Sequence, residues 1–215
     1  MNDQLLVIYR TLLDYYGSQN WWPGEGLEIA IGAVLTQQTS WVNAEKAINK
    51  MREADCLTID CLKKIPIKEL EELIIPSGYY RIKAKRLKNL ILLLADNPNP
   101  SREELLSVNG LGFETVDAIL LYWFEKLYFV IDAYTFRIFN RLGIHKEQNY
   151  LKLQRIFIDK LPIDIQLYKE YHALIVKHAK ECCLKKSPKC EICALNGYCD
   201  YYSELKKMKN TINNG

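Results

Sequence analysis

The segment from Val108 to Asp132 constrains the fold of this chain more than any other stretch. It contains the turn Gly110-Leu111-Gly112, then an apolar run, then an aspartate directly before another amphipathic segment. Glycines allow a sharp backbone turn and the close approach of a ligand, and the N–H groups at the start of a following helix favour an anion. Taken alone, however, such a turn is more often an ordinary connection between two helices.

Asp132 has two compatible roles. Aspartate is a favoured N-cap, and this residue precedes a segment with helical spacing. A capping carboxylate is held ionised and rigidly aimed by the helix terminus, which suits an electrostatic or general-base role in catalysis. We therefore treat Asp132 as the candidate catalytic residue.

The spacing of apolar residues predicts an all-α fold. The longer predicted helices cover approximately residues 3–16, 27–38, 41–53, 81–95, 113–125 and 164–181. Residues 127–132, LYFVID, have a strand-like composition. A single strand would have no partner, so we predict an extended connection there.

Bulk composition excludes some classes of protein. The chain is 49% hydrophobic and 26% charged, which is ordinary for a globular protein, and no apolar run is long enough to span a membrane. The N-terminus lacks the features of a signal peptide, so we expect a cytoplasmic protein. The net charge of +3 is compatible with a polyanionic partner but does not require one.

Four of the seven cysteines have the spacing C-x6-C-x2-C-x5-C, and they are Cys183, Cys190, Cys193 and Cys199. In a chain without a signal peptide, clustered cysteines are more typical of a metal site than of disulfides. Their thiolates could hold an iron–sulfur cluster or Zn²⁺, but structural zinc sites usually pair two C-x2-C units and this chain has one. We predict that Cys182 is not a ligand and that Cys56 and Cys61 are packing residues.

The run from Val108 to Arg141 resembles the helix-hairpin-helix glycosylases of the endonuclease III superfamily. Their pattern is a Leu-Pro-Gly-Val-Gly hairpin, a helix, and a Val-Asp pair that opens a helix ending in Asn-Arg. The corresponding residues here are Val108-Asn109-Gly110-Leu111-Gly112, Ile131-Asp132 and Asn140-Arg141. The cysteine spacing is similar to the [4Fe-4S] loop of the same superfamily.

This resemblance implies a site for each of several functions. Asp132 would be the catalytic carboxylate, and the cysteine loop would hold a [4Fe-4S] cluster. The hairpin would bind the backbone of double-stranded DNA, in many members with a monovalent cation on its carbonyls. The hairpin residues expected to contact DNA are Val108, Gly110, Leu111 and Gly112.

Two residues depart from the superfamily pattern. Asn109 replaces the usual hairpin proline, which a turn tolerates. Glu114 stands where bifunctional members place a nucleophilic lysine, and a carboxylate cannot form a Schiff base with the sugar. We therefore expect a monofunctional glycosylase, in which Glu114 stabilises the helix N-terminus or lines the base pocket.

Three tryptophans are the best clue to the base. Trp21, Trp22 and Trp41 flank a central apolar helix, and a π-rich pocket attracts a cationic base. The alternative is that the tryptophans cover a hydrophobic core. The Trp-Trp-Pro loop, the Val-Leu-Thr-Gln-Gln-Thr stretch before Trp41 and the Asp-Ala-Ile-Leu run after the hairpin resemble 3-methyladenine DNA glycosylase III and related alkylpurine glycosylases. That resemblance implies that the three tryptophans line the base pocket. The superfamily resemblance implies that Gln38 fills the gap left by the flipped base and that Tyr79 wedges the opposite strand, although an exposed aromatic on a turn often only packs locally.

Together these features predict a two-lobed all-α DNA glycosylase with a C-terminal [4Fe-4S] loop, which we expect to be a monomer associated with the nucleoid. Residues 25–132 would form a helical barrel domain with the helix-hairpin-helix at about 102–125, and residues 1–24 with 133–215 a cluster domain. The expected substrate is an alkylated purine, 3-methyladenine or 7-methylguanine. The alternatives are a uracil, mismatch or oxidised-base glycosylase, a catalytically silent DNA-structure-binding protein, and a Cys₄ zinc protein unrelated to repair.

Overall fold

The computed structural model describes residues 4–213, with side chains described up to residue 210, and regular secondary structure within this range is helical throughout. The α-helices are α1 (Gln4–Tyr16), α2 (Leu27–Leu35), α3 (Trp41–Glu53), α4 (Ile59–Lys64), α5 (Ile67–Leu73), α6 (Tyr80–Asp96), α7 (Arg102–Ser107), α8 (Phe113–Tyr122), α9 (Ala133–Arg141), α10 (Tyr150–Lys160), α11 (Ile165–Glu181) and α12 (Asp200–Asn213). Short 3-10 helices occur at Ile75–Ser77, Cys190–Ile192 and Asn196–Tyr198. The predicted all-α class is confirmed, and residues 127–132, predicted to be an extended connection, form neither helix nor strand.

The chain forms two compact units. One consists of Met1–Trp21 with Leu127–Gly215, and the other of Trp22–Lys126. The domain division proposed from the sequence, 25–132 against 1–24 with 133–215, stays a prediction. Within the described residues, no helix is both long and apolar enough to cross a membrane.

The Trp22–Lys126 unit is built around α2. All residues of this helix from Ile29 to Leu35 are buried, because a helix that is apolar on every side must be surrounded. Helices α3, α6 and α8 pack against it. The helix ends three residues earlier than predicted, since Gln38 has φ 56°, which an α-helix cannot continue. For the same reason α8 ends at Tyr122, ahead of Glu125 with φ 51°.

The other unit has an aromatic core. Helix α11 packs against α1 and α9, and the rings of Phe129, Phe139, Phe157, Tyr168 and Tyr171 contact one another in the interior. Phe129 and Phe157 are stacked with centroids 4.4 Å apart. Such pairs add to the burial of apolar area. Helix α12 was not predicted.

Cys56 and Cys61 form a disulfide that joins the end of α3 to α4. The prediction that both act only as packing residues was therefore wrong, although Cys56 is also buried. A separation of five residues does not specify the Cα–Cα distance, which is 5.2 Å here and lies within the range that a disulfide requires.

Candidate functional site

Asp132 is the N-cap of α9 and is 7% exposed. Its Oδ1 atom accepts hydrogen bonds from the backbone N–H of Thr135 at 2.7 Å and from the Thr135 hydroxyl at 2.8 Å. In return, the backbone N–H of Asp132 donates to the Thr135 hydroxyl oxygen, which completes a capping box. The Oδ1 atom is therefore occupied by the hydrogen bonds that orient the side chain, and Oδ2 is the oxygen that remains for chemistry.

His172, on the buried face of α11, faces that second oxygen. Its Nε2 atom lies 3.7 Å from Oδ2 of Asp132. Burial raises the pKa of Asp132, but the imidazole of His172 and the bonds from Thr135 outweigh it and hold that pKa below its ordinary value. The aspartate is therefore ionised at neutral pH. Sequence reasoning missed His172, whose only signal was a polar residue between the core residues Tyr171 and Leu174.

The hairpin connects α7 to α8 as predicted. Val108 and Leu111 are buried and anchor it, and the Leu111 N–H donates to the Val108 carbonyl at 3.1 Å. Gly110 has φ 89°, a conformation that L side chains rarely adopt. Gly112 is the exposed N-cap of α8 and has no side chain of its own to cap this helix start. The first turn of α8 therefore presents its N–H groups beside a residue without a side chain.

A small polar network holds the hairpin from α2 and α6. The Gln37 amide donates to the Gly110 carbonyl at 3.2 Å and to the Thr115 hydroxyl at 2.8 Å, and Arg86 donates to the Gln37 Oε1 atom. A Cβ on Gly110 would lie 2.1 Å from the Arg86 Nε atom. The glycine is thus required both by its backbone angle and by the packing of Arg86. Sequence reasoning did not detect this network.

Two of the three predicted pocket tryptophans are brought together. The rings of Trp22 and Trp41 meet edge to face with centroids 5.3 Å apart, and Tyr122 packs against Trp22 at the same distance. A Cβ on Gly32 would lie 3.1 Å from the Trp22 ring and 3.3 Å from the Trp41 ring. This interior glycine of α2 therefore makes room for both indoles. Trp21 belongs to the other compact unit.

The remaining predicted DNA-contact residues are exposed. Gln38 lies in the turn after α2 and Tyr79 directly before α6. Both have positive φ, 56° for Gln38 and 46° for Tyr79, although neither is glycine. Glu114 is exposed in the first turn of α8, where a carboxylate stabilises the helix N-terminus.

The four predicted ligand cysteines line one small cavity together with Arg141 and Cys182, and they are Cys183, Cys190, Cys193 and Cys199. Arg141 donates to the Cys183 sulfur at 3.2 Å, and the Leu195 N–H lies 3.4 Å from the Cys193 sulfur. Such N–H donors favour thiolates and are usual around iron–sulfur clusters. Burial raises the pKa of the Cys190, Cys193 and Cys199 thiols. The donor set fits a cluster with four thiolate ligands.

A second combination of donors overlaps this cavity. The ligand atoms of His178, Cys182 and Cys193 lie within 4.8 Å of one another and could hold a metal ion. The Nε2 atom of His178 is 3.5 Å from the Cys193 sulfur. Burial lowers the pKa of His178 to about 4, so its imidazole is neutral at pH 7. The C-terminal region therefore contains a possible Cys/His metal site.

Comparison with known protein families identifies the class to which this fold and these residues belong. Residues 31–162, which include the hairpin and Asp132, match the family described as HhH-GPD superfamily base excision DNA repair protein. The matched region is more than half of the chain. The chain belongs to this family of base excision repair DNA glycosylases.

Individual relatives agree. A Methanocaldococcus jannaschii protein named "Putative DNA repair glycosylase MJ1434" is 45% identical over 92% of this chain and 96% of its own length. Endonuclease III of Thermotoga maritima is 32% identical over 83% of this chain and 84% of its own length. These relatives match the chain over most of their length.

Solved structures show the same fold. The H. pylori 3-methyladenine DNA glycosylase MagIII, solved with 1,N6-ethenoadenine, has a TM-score of 0.75 and 27% identity, and covers 82% of this chain and 97% of its own. A non-covalent endonuclease III–DNA complex has a TM-score of 0.85 and covers 96% of this chain and 99% of its own. At 21% identity, that second likeness is evidence of the fold alone. The predicted superfamily and fold are confirmed.

Proposed function

We propose that this protein is a monofunctional DNA glycosylase that releases an alkylated purine, 3-methyladenine or 7-methylguanine, from double-stranded DNA. The observation that carries the proposal is the buried Asp132 carboxylate, ionised and aimed by its capping box, in a chain of the base excision repair family. A cationic base is already a good leaving group. Asp132 then needs only to stabilise the positive charge that develops on the sugar and to orient the attacking water.

The hairpin is the proposed DNA-backbone contact. Val108 and Leu111 anchor it through their buried side chains, and Gly110 adopts the positive φ of the turn. Gly112 is the N-cap of α8 and has no side chain to cover the start of that helix. Backbone N–H groups at a helix N-terminus bind phosphate oxygens and fix the register of a protein on DNA without reading its sequence. A monovalent cation on the hairpin carbonyls remains part of this proposal.

We propose that the protein has no lyase activity because of the residue at position 114. Glu114 stands in the first turn of α8, two residues after Gly112, where the bifunctional pattern requires an amine. A carboxylate cannot attack the sugar to form a Schiff base, so water is the nucleophile and the product is an intact abasic site.

The choice of base is proposed to depend on aromatic side chains. Trp22 and Trp41 meet over Gly32 in one unit, and Trp21 is the third proposed member of the pocket. Stacking contributes about 1–3 kcal/mol per base, and an electron-rich ring attracts a cationic base further. The 27% identity to a 3-methyladenine glycosylase supports the same substrate class.

The [4Fe-4S] cluster is proposed to be structural. Four ligands would hold it, namely Cys183, Cys190, Cys193 and Cys199. Base release is a hydrolysis in which no electron is transferred, so the cluster would stabilise the cysteine loop. Cys182→Ser and Cys183→Ser form a matched pair of adjacent variants: the first should keep about four iron atoms and absorbance near 400 nm, and the second should lose them. Zinc in the purified protein, or loss of iron only in Cys182→Ser, would contradict this assignment.

The test of the function is a panel of duplexes. Each carries one of 3-methyladenine, 7-methylguanine, hypoxanthine, uracil or 8-oxoguanine, and each reaction is read with and without alkali. The expected result is release of the methylated purines, with strand cleavage only after alkali. Cleavage without alkali would refute the monofunctional mechanism, and preferential release of uracil or 8-oxoguanine would refute the alkylpurine assignment. Binding with no release of any base would indicate a DNA-structure-binding protein.

A further inference from the structure

Lys83 is a buried lysine that the proposed chemistry does not use. It lies in α6 and is 1% exposed. Its ammonium donates to two backbone carbonyls, those of Leu35 at 2.8 Å and Ser77 at 2.7 Å. Burial lowers its pKa to about 8, and the neighbouring Arg86 adds to this effect. A buried ammonium is unfavourable unless its hydrogen bonds are satisfied, and the two carbonyls satisfy part of that requirement here.

The two carbonyls belong to two separate turns. Leu35 is the last residue of α2, and the turn that follows carries Gln38. Ser77 ends the 3-10 helix Ile75–Ser77, and the next two residues are Gly78 and Tyr79. Lys83 therefore links the bases of two loops that are distant in sequence.

Each of the two loops carries one exposed residue whose backbone φ is positive. Gln38 has φ 56° and Tyr79 has φ 46°, and Tyr79 is 68% exposed. Residues other than glycine rarely occupy this region, and they stay there only when surrounding contacts hold them. The Lys83 bonds are such contacts, made two and three residues away from the strained positions.

We propose that Lys83 is a positioning residue that holds Gln38 and Tyr79 together in the arrangement needed to enter the duplex beside a flipped base. This rests on the proposed function and on the roles that the superfamily resemblance implies, in which Gln38 fills the gap and Tyr79 wedges the opposite strand. The side chains must arrive in a fixed relation to each other, because both enter the same distorted step. A single ammonium bonded to both loops supplies that relation.

Helix α6 offers a matched control. Lys88 also donates to backbone carbonyls, those of Leu62 at 2.7 Å, Lys63 at 3.1 Å and Ile65 at 2.5 Å. These carbonyls lie at the end of α4 and just after it, away from Gln38 and Tyr79 in the sequence. Lys88→Met thus removes a similar lysine from the same helix without releasing either inserting loop.

The experiment compares Lys83→Met and Lys88→Met by two readouts. The first is the fluorescence of 2-aminopurine placed opposite an abasic-site analogue, at saturating protein, which reports unstacking of the opposite base without any base release. The second is the single-turnover rate of release from a duplex relative to the same lesion in a single strand, which has no opposite base to wedge. For Lys83→Met we expect most of the fluorescence increase to be lost and the duplex-to-single-strand ratio to fall about tenfold. Lys88→Met should resemble wild type in both.

Equal losses in the two variants, or a Lys83→Met protein with wild-type fluorescence, would overturn the proposal. If circular dichroism shows that Lys83→Met is unfolded, Lys83→Gln replaces it, since the shorter amide cannot serve both carbonyls. A cycle with Gln38→Ala adds a further criterion: the effect of the lysine substitution on fluorescence should shrink in that background, and full additivity would contradict action through Gln38. Wild-type protein that releases no base but gives the fluorescence increase would refute the proposed function while leaving this inference standing.

Discussion

Two helix N-termini in this protein solve the same problem in opposite ways. Helix α9 begins behind Asp132, which is buried and caps the helix with its own carboxylate. Helix α8 begins behind Gly112, which is exposed and supplies no cap. Both termini carry a positive partial charge. The Asp132 carboxylate offsets that charge at α9, whereas we propose that a DNA phosphate binds at the start of α8.

The difference teaches how the same local electrostatics can serve chemistry or binding. At α9 the imidazole of His172 and the bonds from Thr135 hold the pKa of the Asp132 carboxyl below its ordinary value, although burial alone would raise it. At α8 the N-cap Gly112 has no side chain, and this helix start is where we propose that a DNA phosphate binds. We propose Asp132 for the chemistry and Gly112 for the DNA contact, so substituting one residue at a time tests the two roles separately.

The largest expected effect comes from Asp132→Asn. Asparagine is also a good N-cap, so α9 should remain folded while the negative charge is lost. We expect base release to slow by at least about 100-fold, because the stabilisation of the developing sugar cation disappears, while DNA affinity changes little. Single-turnover release and a gel-shift assay measure the two quantities. Release at the wild-type rate would remove Asp132 from the mechanism.

The second effect concerns the hairpin glycines. Gly112→Ala meets no atom within 4 Å and should fold, yet it places a methyl group at the proposed phosphate contact, so we expect DNA affinity to fall about tenfold, or ~1.4 kcal/mol. Gly110→Ala, with φ 89° and a clash with Arg86, should instead lower the free energy of unfolding by about 1–3 kcal/mol. Affinity titrations and chemical denaturation distinguish the two. An unchanged affinity in Gly112→Ala would contradict the phosphate contact.

A third effect tests what keeps Asp132 ionised. In His172→Gln the imidazole no longer lowers the Asp132 pKa, so burial should raise that pKa above its value in the wild-type protein. The ionised form would then be lost at a higher pH as the solution is acidified, and the acid limb of the release rate should shift upward. His145→Gln, at a histidine that accepts from the Glu147 N–H, is the control and should keep the wild-type profile. The same profile in both variants would exclude His172 from this role.

The smallest effect comes from a third cap. Ser101 closes a capping box with Glu104 at the start of α7, with no proposed contact to DNA or base. Ser101→Ala should cost about 1 kcal/mol of stability and leave base release and DNA affinity unchanged. A thermal melt alongside the release assay checks both. A loss of DNA affinity in Ser101→Ala would show that the start of α7 also contributes to DNA binding.

The local features of the fold were predictable from the sequence. The hairpin, the N-cap at Asp132, the capping box at Ser101 and the extended segment before Asp132 each depend on neighbours a few residues apart. The cysteine spacing predicted four ligands, and their side chains line one cavity that Cys182 lines too, so the ligand set itself stays a prediction. Helix ends were less predictable, since the positive φ angles of Gln38 and Glu125 ended α2 and α8 early.

The sequence alone determined the helical class, the superfamily and the residue types at the candidate site, because those follow from periodicity and short motifs. Only the tertiary structure decided which side chains support that site. His172 reaches Asp132 from a helix forty residues away in sequence, Lys83 links the turns that carry Gln38 and Tyr79, and Gly32 makes room for two indoles. The disulfide of Cys56 and Cys61 also depends on a distance in space. Such contacts join distant segments, and no local pattern records which segments folding brings together.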